Sequence, residues 1–178
     1  MIASLNGILT LIGKSEIVLE VNGVGYFLNV SSKLIASLDE IGSKLRLFTD
    51  LQIKDDKIVM YGFASSKDQN IFKLLQTVQG VGPKAALSIL STLNVDEIIL
   101  AITSGDKAMI SRADGIGPRV AGRITTELVE KVINFNNNIS KFIRDTNSSL
   151  SFKATSQLSK TAGFCKYKYF LDGYGDFD

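Results

Sequence analysis

The residues with the clearest chemical potential lie in a duplicated six-residue segment. Gln79-Gly80-Val81-Gly82-Pro83-Lys84 recurs 35 residues later as Asp114-Gly115-Ile116-Gly117-Pro118-Arg119. Each copy continues with an alanine two positions after the basic residue (Ala86, Ala121) and then with Ile89 or Ile124. Both prolines of the chain lie here, one per copy. The paired glycines permit a tight turn and a close approach of backbone to ligand. Val81 and Ile116, between them, can anchor the turn in a core. Proline at the first helical position fixes φ and gives up no needed hydrogen bond. The amides at a helix start are unpaired and sit at the positive end of the dipole, which suits a phosphate. Lys84 and Arg119 add a cation at the same spot. One copy alone reads equally well as a tight connection between two helices. Two copies, each opening a helix and each followed by a cation, point to phosphate binding. Packed with pseudo-two-fold symmetry, two such hairpins would touch both strands across a minor groove, contacts that fix position without reading base sequence. A nucleotide P-loop is excluded, because G-x-x-x-x-G-K-[ST] is absent and the glycines follow helices rather than strands.

A second constellation is Asp55-Asp56, inside Lys54-Asp55-Asp56-Lys57. Aspartates are common in turns, and taken alone the pair reads as a polar hairpin tip. Adjacent carboxylates can hold Mg²⁺, but no third carboxylate is suggested and consecutive strand residues point opposite ways. The third reading is electrostatic: carboxylates held near phosphates repel them, so an acidic tip could reject continuous duplex and keep separating strands apart.

Two kinds of element must position these groups. Residues 1–63 read as β structure. Ile17, Leu19 and Val21 alternate with polar residues, Asn22-Gly23 signals a turn, and Val24, Tyr26, Leu28 and Val30 alternate again. Leu45, Leu47, Leu51 and Ile53 form a further series that runs through the acidic tip and returns as Ile58, Met60 and Gly62. Five or six short strands in so few residues predict a small closed barrel of OB type, since closure removes exposed edges. From Ser65 the period changes: Ile71, Leu74, Leu75 and Val78 follow helical spacing behind a serine cap. Asn94 is placed to cap a helix over 95–103, Asp106 to cap a short turn, and Pro118 to open a longer helix through Ile124, Leu128 and Val132. Asn134 to Asn138 reads as a break, and residues 139–178 are poorer in pattern, with one candidate helix near 153–161. The predicted class is α+β multidomain: a barrel over 1–63, a tandem helix–hairpin–helix unit over 64–138, and a linker with a small atypical C-terminal segment over 139–178.

Composition narrows the chemistry. The 178 residues are 45% apolar, and 20 Lys+Arg against 18 Asp+Glu leave a net charge of +2, which excludes bulk disorder and a polycationic coat. Any nucleic-acid binding must come from a localised surface. The chain has no histidine, which removes His triads, His metal sites and imidazole acid–base catalysis. Its single cysteine, Cys165, allows no intrachain disulfide and no Cys-based zinc site. The start lacks a basic n-region and long apolar core, and no apolar run approaches ~18 residues. The expectation is a soluble cytoplasmic protein with no membrane partner, no metal and no cofactor.

In order and spacing, the chain resembles the RuvA family of bacterial Holliday-junction-binding proteins over residues 1–135. The resemblance rests on the opening Met-Ile, on Asn22-Gly23-Val24-Gly25-Tyr26, and on Asp55-Asp56 followed by Tyr61-Gly62-Phe63. Phe72-Lys73, Gly80-Val81-Gly82-Pro83-Lys84 with Ala86-Leu87-Ser88-Ile89-Leu90, and Gly115-Ile116-Gly117 complete it. It implies a four-fold homotetramer that holds a four-way DNA junction open and nearly planar, with a second tetramer able to cap the other face. It implies that Gly80, Gly82, Lys84, Gly115, Gly117, Arg119 and Arg123 contact phosphates, and that Asp55 and Asp56 form an acidic pin at the crossover. It implies a non-catalytic subunit that loads the RuvB ATPase motor for branch migration in recombination and repair, and an assembly that the RuvC resolvase joins. Two departures stand out. Pro118 occupies a position where many relatives carry a second basic residue, and residues 139–178 lack the three-helix pattern of the family's motor-binding domain.

Other classes leave weaker traces. A nuclease or glycosylase, or an accessory to one, can borrow helix–hairpin–helix elements, but it needs a metal-binding carboxylate cluster or a base-flipping pocket. A generic helix–hairpin–helix DNA binder without junction selectivity would share the hairpins and not need the acidic tip. A single-strand binder would use aromatic platforms, and residues 1–63 offer only Tyr26, Phe27, Phe48, Tyr61 and Phe63, some of them core.

Overall fold

Alternating apolar residues build five strands: β1 (Ser4–Ile12), β2 (Glu16–Val21), β3 (Val24–Asn29), β4 (Lys44–Lys54) and β5 (Lys57–Phe63). These come from a computed structural model, which describes residues 2–54 and 57–133. The strands close in the order β1-β2-β3-β5-β4, with β4 returning to β1. All pairings are antiparallel except β3 with β5, which meet in parallel at Asn29 and Tyr61. The β2–β3 turn is tight because Asn22 and Gly23 both take positive φ, 51° and 81°, the backbone that a two-residue hairpin turn requires. Leu5, Leu9, Ile17, Leu19, Leu28, Val30 and Leu47 fill the barrel interior. The barrel is of the expected OB type.

Two features depart from the alternation. A short helix, α1 (Ser32–Ala36), bridges β3 and β4, with Ser31 accepting from the Leu34 amide and Leu34 buried. Five residues carry no helical period, so the sequence pattern passed over it. Ile53 and Ile58, read as part of an apolar series, are 71% and 69% exposed. They face each other across β4–β5 next to the last pair, Lys54 and Lys57, where the hairpin runs on past the barrel and has no interior to fill.

Helices follow: α2 (Ser66–Leu75), α3 (Pro83–Thr92), α4 (Val95–Ser104), α5 (Lys107–Ile110) and α6 (Pro118–Glu127). The expected caps are present. Ser65 and Asp68 form a capping box at α2, Asn94 and Glu97 form one at α4, and Asp106 accepts from the Met109 amide at α5. Each such cap contributes about 1 kcal/mol. Helix α2 is shorter than its period suggested, so Val78 is buried from the following turn rather than from the helix. The helix opened by Pro118 breaks at Leu128, and helical backbone resumes over 129–133. Leu128 and Val132 are nevertheless fully buried.

The helical core is continuous with one wall of the barrel. Phe72 of α2 is fully buried, its ring centroid 5.0 Å from Tyr61 and 4.8 Å from Phe63 of β5. Tilted aromatic pairs of this kind add about 0.5–1.5 kcal/mol each beyond their burial. The break expected at 134–138, the segment 139–178 and the acidic pair Asp55-Asp56 lie outside the described residues.

Candidate nucleic-acid interface

The duplicated segment folds as two equivalent turns, one after α2 and one after α5, each leading into a helix that starts at proline. Gly80 and Gly115 take φ of 95° and 77°, a conformation that side chains with Cβ rarely adopt. Val81 and Ile116, 5% and 6% exposed, point into the core as anchors. Gly82 and Gly117 are the N-caps of α3 and α6, with Pro83 and Pro118 at the first helical positions. Their backbones are extended, φ −86° and −79°, and a Cβ at either would have nothing within 4 Å. Neither conformation nor internal packing therefore demands glycine there. Both positions are exposed to solvent.

The helix starts carry the same message. Helices α1, α2, α4 and α5 each have one first-turn amide satisfied by a serine, asparagine or aspartate side chain. Helices α3 and α6 have no side-chain cap. Their first intrahelical bonds are Ala86 N–H to Gly82 O at 2.9 Å and Ala121 N–H to Gly117 O at 3.0 Å. The amides of Lys84 and Ala85, and of Arg119 and Val120, precede those bonds and point outward at the positive end of each dipole. The Lys84 and Arg119 side chains are exposed beside them. Backbone donors, dipole and cation are together the chemistry that suits an anion.

Reciprocal contacts tie the two turns together. The Arg123 guanidinium donates to Gln79 O at 3.3 Å and to Gln79 Oε1 at 3.2 Å. Ser88 Oγ donates to Asp114 O at 2.9 Å. Ser88 and Arg123 are equivalent positions of the two copies, and so are Gln79 and Asp114. Each copy thus braces the other's turn through the same pair of sites, as a local two-fold axis requires. The family resemblance implies Arg123 as a phosphate contact, and the bracing role of Ser88 had no counterpart among the expected site residues. The repeat itself held the signal, since a brace at one position implies its counterpart 35 residues away.

The barrel is registered against this unit by a polar stripe along α2. Gln69 Nε2 donates to Thr49 O at 2.6 Å, Lys73 Nζ lies 3.4 Å from Asp50 Oδ1, and Gln52 Nε2 donates to Asp50 Oδ2 at 2.8 Å and to Gln76 Oε1 at 3.0 Å. Asp50 is mostly buried. Burial, and then the Asp50 charge, raise the Tyr61 hydroxyl above its ordinary value near 10. Ser32 N–H to Ser91 Oγ at 3.0 Å, with an exposed Lys33–Glu97 pair at 3.8 Å, ties α1 to the helices. The ion pair is worth little at that exposure. Among the described residues no group of three His, Cys, Asp or Glu side chains could hold a metal ion, and no single helix is long and apolar enough to cross a membrane.

A closed five-stranded barrel joined to two dyad-related, uncapped hairpins defines a class: an OB-type barrel with a tandem helix–hairpin–helix module. Residues 1–62 match the RuvA N-terminal domain and residues 72–130 match the SAM-like helix-hairpin-helix tandem. The chain is 41% identical over 135 residues to the Holliday junction branch migration complex subunit RuvA of Xanthobacter autotrophicus, covering 76% of this chain and 66% of that protein. It is 47% identical over 131 residues to the protein of that name from Zymomonas mobilis (74% and 62%), and 44% identical over 142 residues to that of Bartonella quintana (80% and 69%). The chain belongs to the RuvA family. The matched stretch spans about two thirds of the length of these relatives.

Proposed function

We propose that this protein binds four-way junction DNA through its backbone, without sequence specificity, and serves as the DNA-holding subunit of a branch-migration complex. The observation that carries the reading is the pair of uncapped helix starts at Gly82 and Gly117, each open to solvent and each followed by a cation. Gly80 and Gly115 set the turns, Gly82 and Gly117 admit the phosphates, and Lys84 and Arg119 neutralise them. Arg123 braces the first turn with one guanidinium nitrogen and has further donors to offer a phosphate. Pro118, lacking an N–H as Pro83 does, leaves the two sites equivalent in donors.

Asp55 and Asp56 occupy the tip of the β4–β5 hairpin in sequence and act as the acidic pin, repelling the phosphates of continuous duplex. Four copies around a four-fold axis concentrate eight carboxylates at the crossover and one hairpin pair on each arm. Self-association of this kind also covers exposed apolar residues of the barrel's outer face, such as Leu11 (46%) and Phe27 (57%), each opposite Val18. The subunit is non-catalytic. An ATPase of the RuvB type drives the branch point, a RuvC-type resolvase cuts it, and a second tetramer closes the other face. The domain boundaries at 63 and 138, with motor coupling assigned to 139–178, belong to the same proposal.

A gel-shift titration of a synthetic four-way junction against linear duplex, in EDTA with excess competitor DNA, tests it. A discrete junction-selective complex is expected. Equal binding to both, or binding to neither, would refute it.

A further inference from the structure

The polar stripe between α2 and β4 has no part in gripping phosphate, yet it lies at the base of both elements that would meet DNA. Its contacts run in one direction: Gln69 with Thr49, Lys73 with Asp50, Gln76 with Gln52. The helical positions 69, 73 and 76 share one face at i, i+4 and i+7, and the strand positions 50 and 52 share one side of β4. Both elements then leave the stripe, β4 toward its end at Lys54, directly before Asp55-Asp56 in sequence, and α2 toward the turn at Gln79. Gln76 is the C-cap of α2, and its own amide donates to Phe72 O at 3.3 Å. The last contact is therefore a hydrogen-bonded chain from Asp50 through Gln52 and Gln76 to the end of the helix.

We infer that Gln52 and Gln76 are positioning residues, whose side-chain hydrogen bond fixes the β4–β5 hairpin, through Gln52 of β4, at a set distance from the first phosphate-binding turn. An apolar pair would pack the same partly buried space without fixing direction, whereas this bond has defined length and angle. Asp50, held by Lys73, orients the Gln52 amide so that the bond to Gln76 forms in one geometry. The consequence for DNA rests on the junction-binding reading: the spacing sets whether a duplex held by the turn meets the carboxylates.

The test is Gln76→Leu, which removes the acceptor for Gln52 and the donor to Phe72 O, and leaves Gln52 bonded to Asp50. Spin labels at positions 57 and 84, in a Cys165→Ser background diluted with unlabelled protein, read the hairpin-to-turn distance without DNA. Junction and duplex affinities are measured in parallel on the unlabelled protein. The inference predicts a broadened distance distribution, and a junction-over-duplex preference lowered about fivefold, the factor one net hydrogen bond carries. An unchanged distribution overturns it, whatever the DNA titrations show. An unchanged preference in a variant whose distance has broadened overturns the link to selectivity. A parent protein with no junction preference sinks the junction reading alone, and the distance measurement still decides the positioning role.

Discussion

Replacing Gly82 and Gly117 together by alanine separates folding from binding at the same two atoms. Both positions have extended backbone, and an added Cβ meets nothing within 4 Å. Alanine is a poorer N-cap than glycine by some tenths of a kcal/mol, and it recovers about 0.4–1 kcal/mol by restricting the unfolded chain. The net change in stability is expected to be within roughly 0.5 kcal/mol per site. Binding responds differently. A phosphate oxygen accepting from the Lys84 or Arg119 amide must come to about 2.9 Å of nitrogen, and a methyl group at the cap occupies the approach. Loss of one charge-assisted hydrogen bond per hairpin costs about 1.5–3 kcal/mol. The two hairpins together lose about 3–6 kcal/mol, a hundredfold or more in affinity. Thermal melts and junction titrations on the double variant read the two effects. Near-parent affinity with an intact fold would refute the phosphate-hairpin argument. A collapsed fold would show that the open space at these glycines had been misjudged.

Three further outcomes are expected. Asp55→Asn with Asp56→Asn keeps junction binding and raises duplex affinity about tenfold, since juxtaposed like charges cost on the order of a kcal/mol or more. An unchanged duplex titration would return the tip to an ordinary turn. Phe72→Ala lowers stability by about 3–5 kcal/mol in denaturant melts, because its fully buried ring fills the seam between Tyr61 and Phe63, and a loss under 1 kcal/mol would contradict that packing. Tyr61 holds its proton more tightly folded than unfolded, so its contribution is present below pH ~10 and is lost as pH rises past that value. Tyr61→Phe therefore shows a shallower alkaline fall in stability, and parallel curves would remove the burial argument.

The local chemistry of this chain was written locally. The Asn22-Gly23 turn, the caps at Ser65, Asn94 and Asp106, and the proline-started helices were all readable, because each depends on a few adjacent residues. What escaped the sequence depends on distant partners or on elements too short to have a period. Helix α1 has five residues, and the parallel meeting of Asn29 with Tyr61 closes the barrel through one pair. The exposure of Ile53 and Ile58 follows from how far the hairpin outruns the barrel, which alternation cannot report. At the site, the glycines and cations were evident and the braces were not. Arg123 looked like one more cation until its contact with Gln79 placed it across the pseudo-dyad from Ser88. Asp50, Gln52 and Gln76 carry no pattern at all, and only the packing of α2 on β4 brings them together.

Two hairpins related by a dyad are expected to hold one phosphate region on each strand of a DNA arm. Neutral methylphosphonate linkages, introduced one at a time along both strands of a junction arm, test it directly. Two short clusters of sensitive phosphates are expected, on opposite strands across one minor groove, with Gly82→Ala and Gly117→Ala each abolishing one cluster. Sensitivity confined to a single strand, or spread evenly along both, would contradict it.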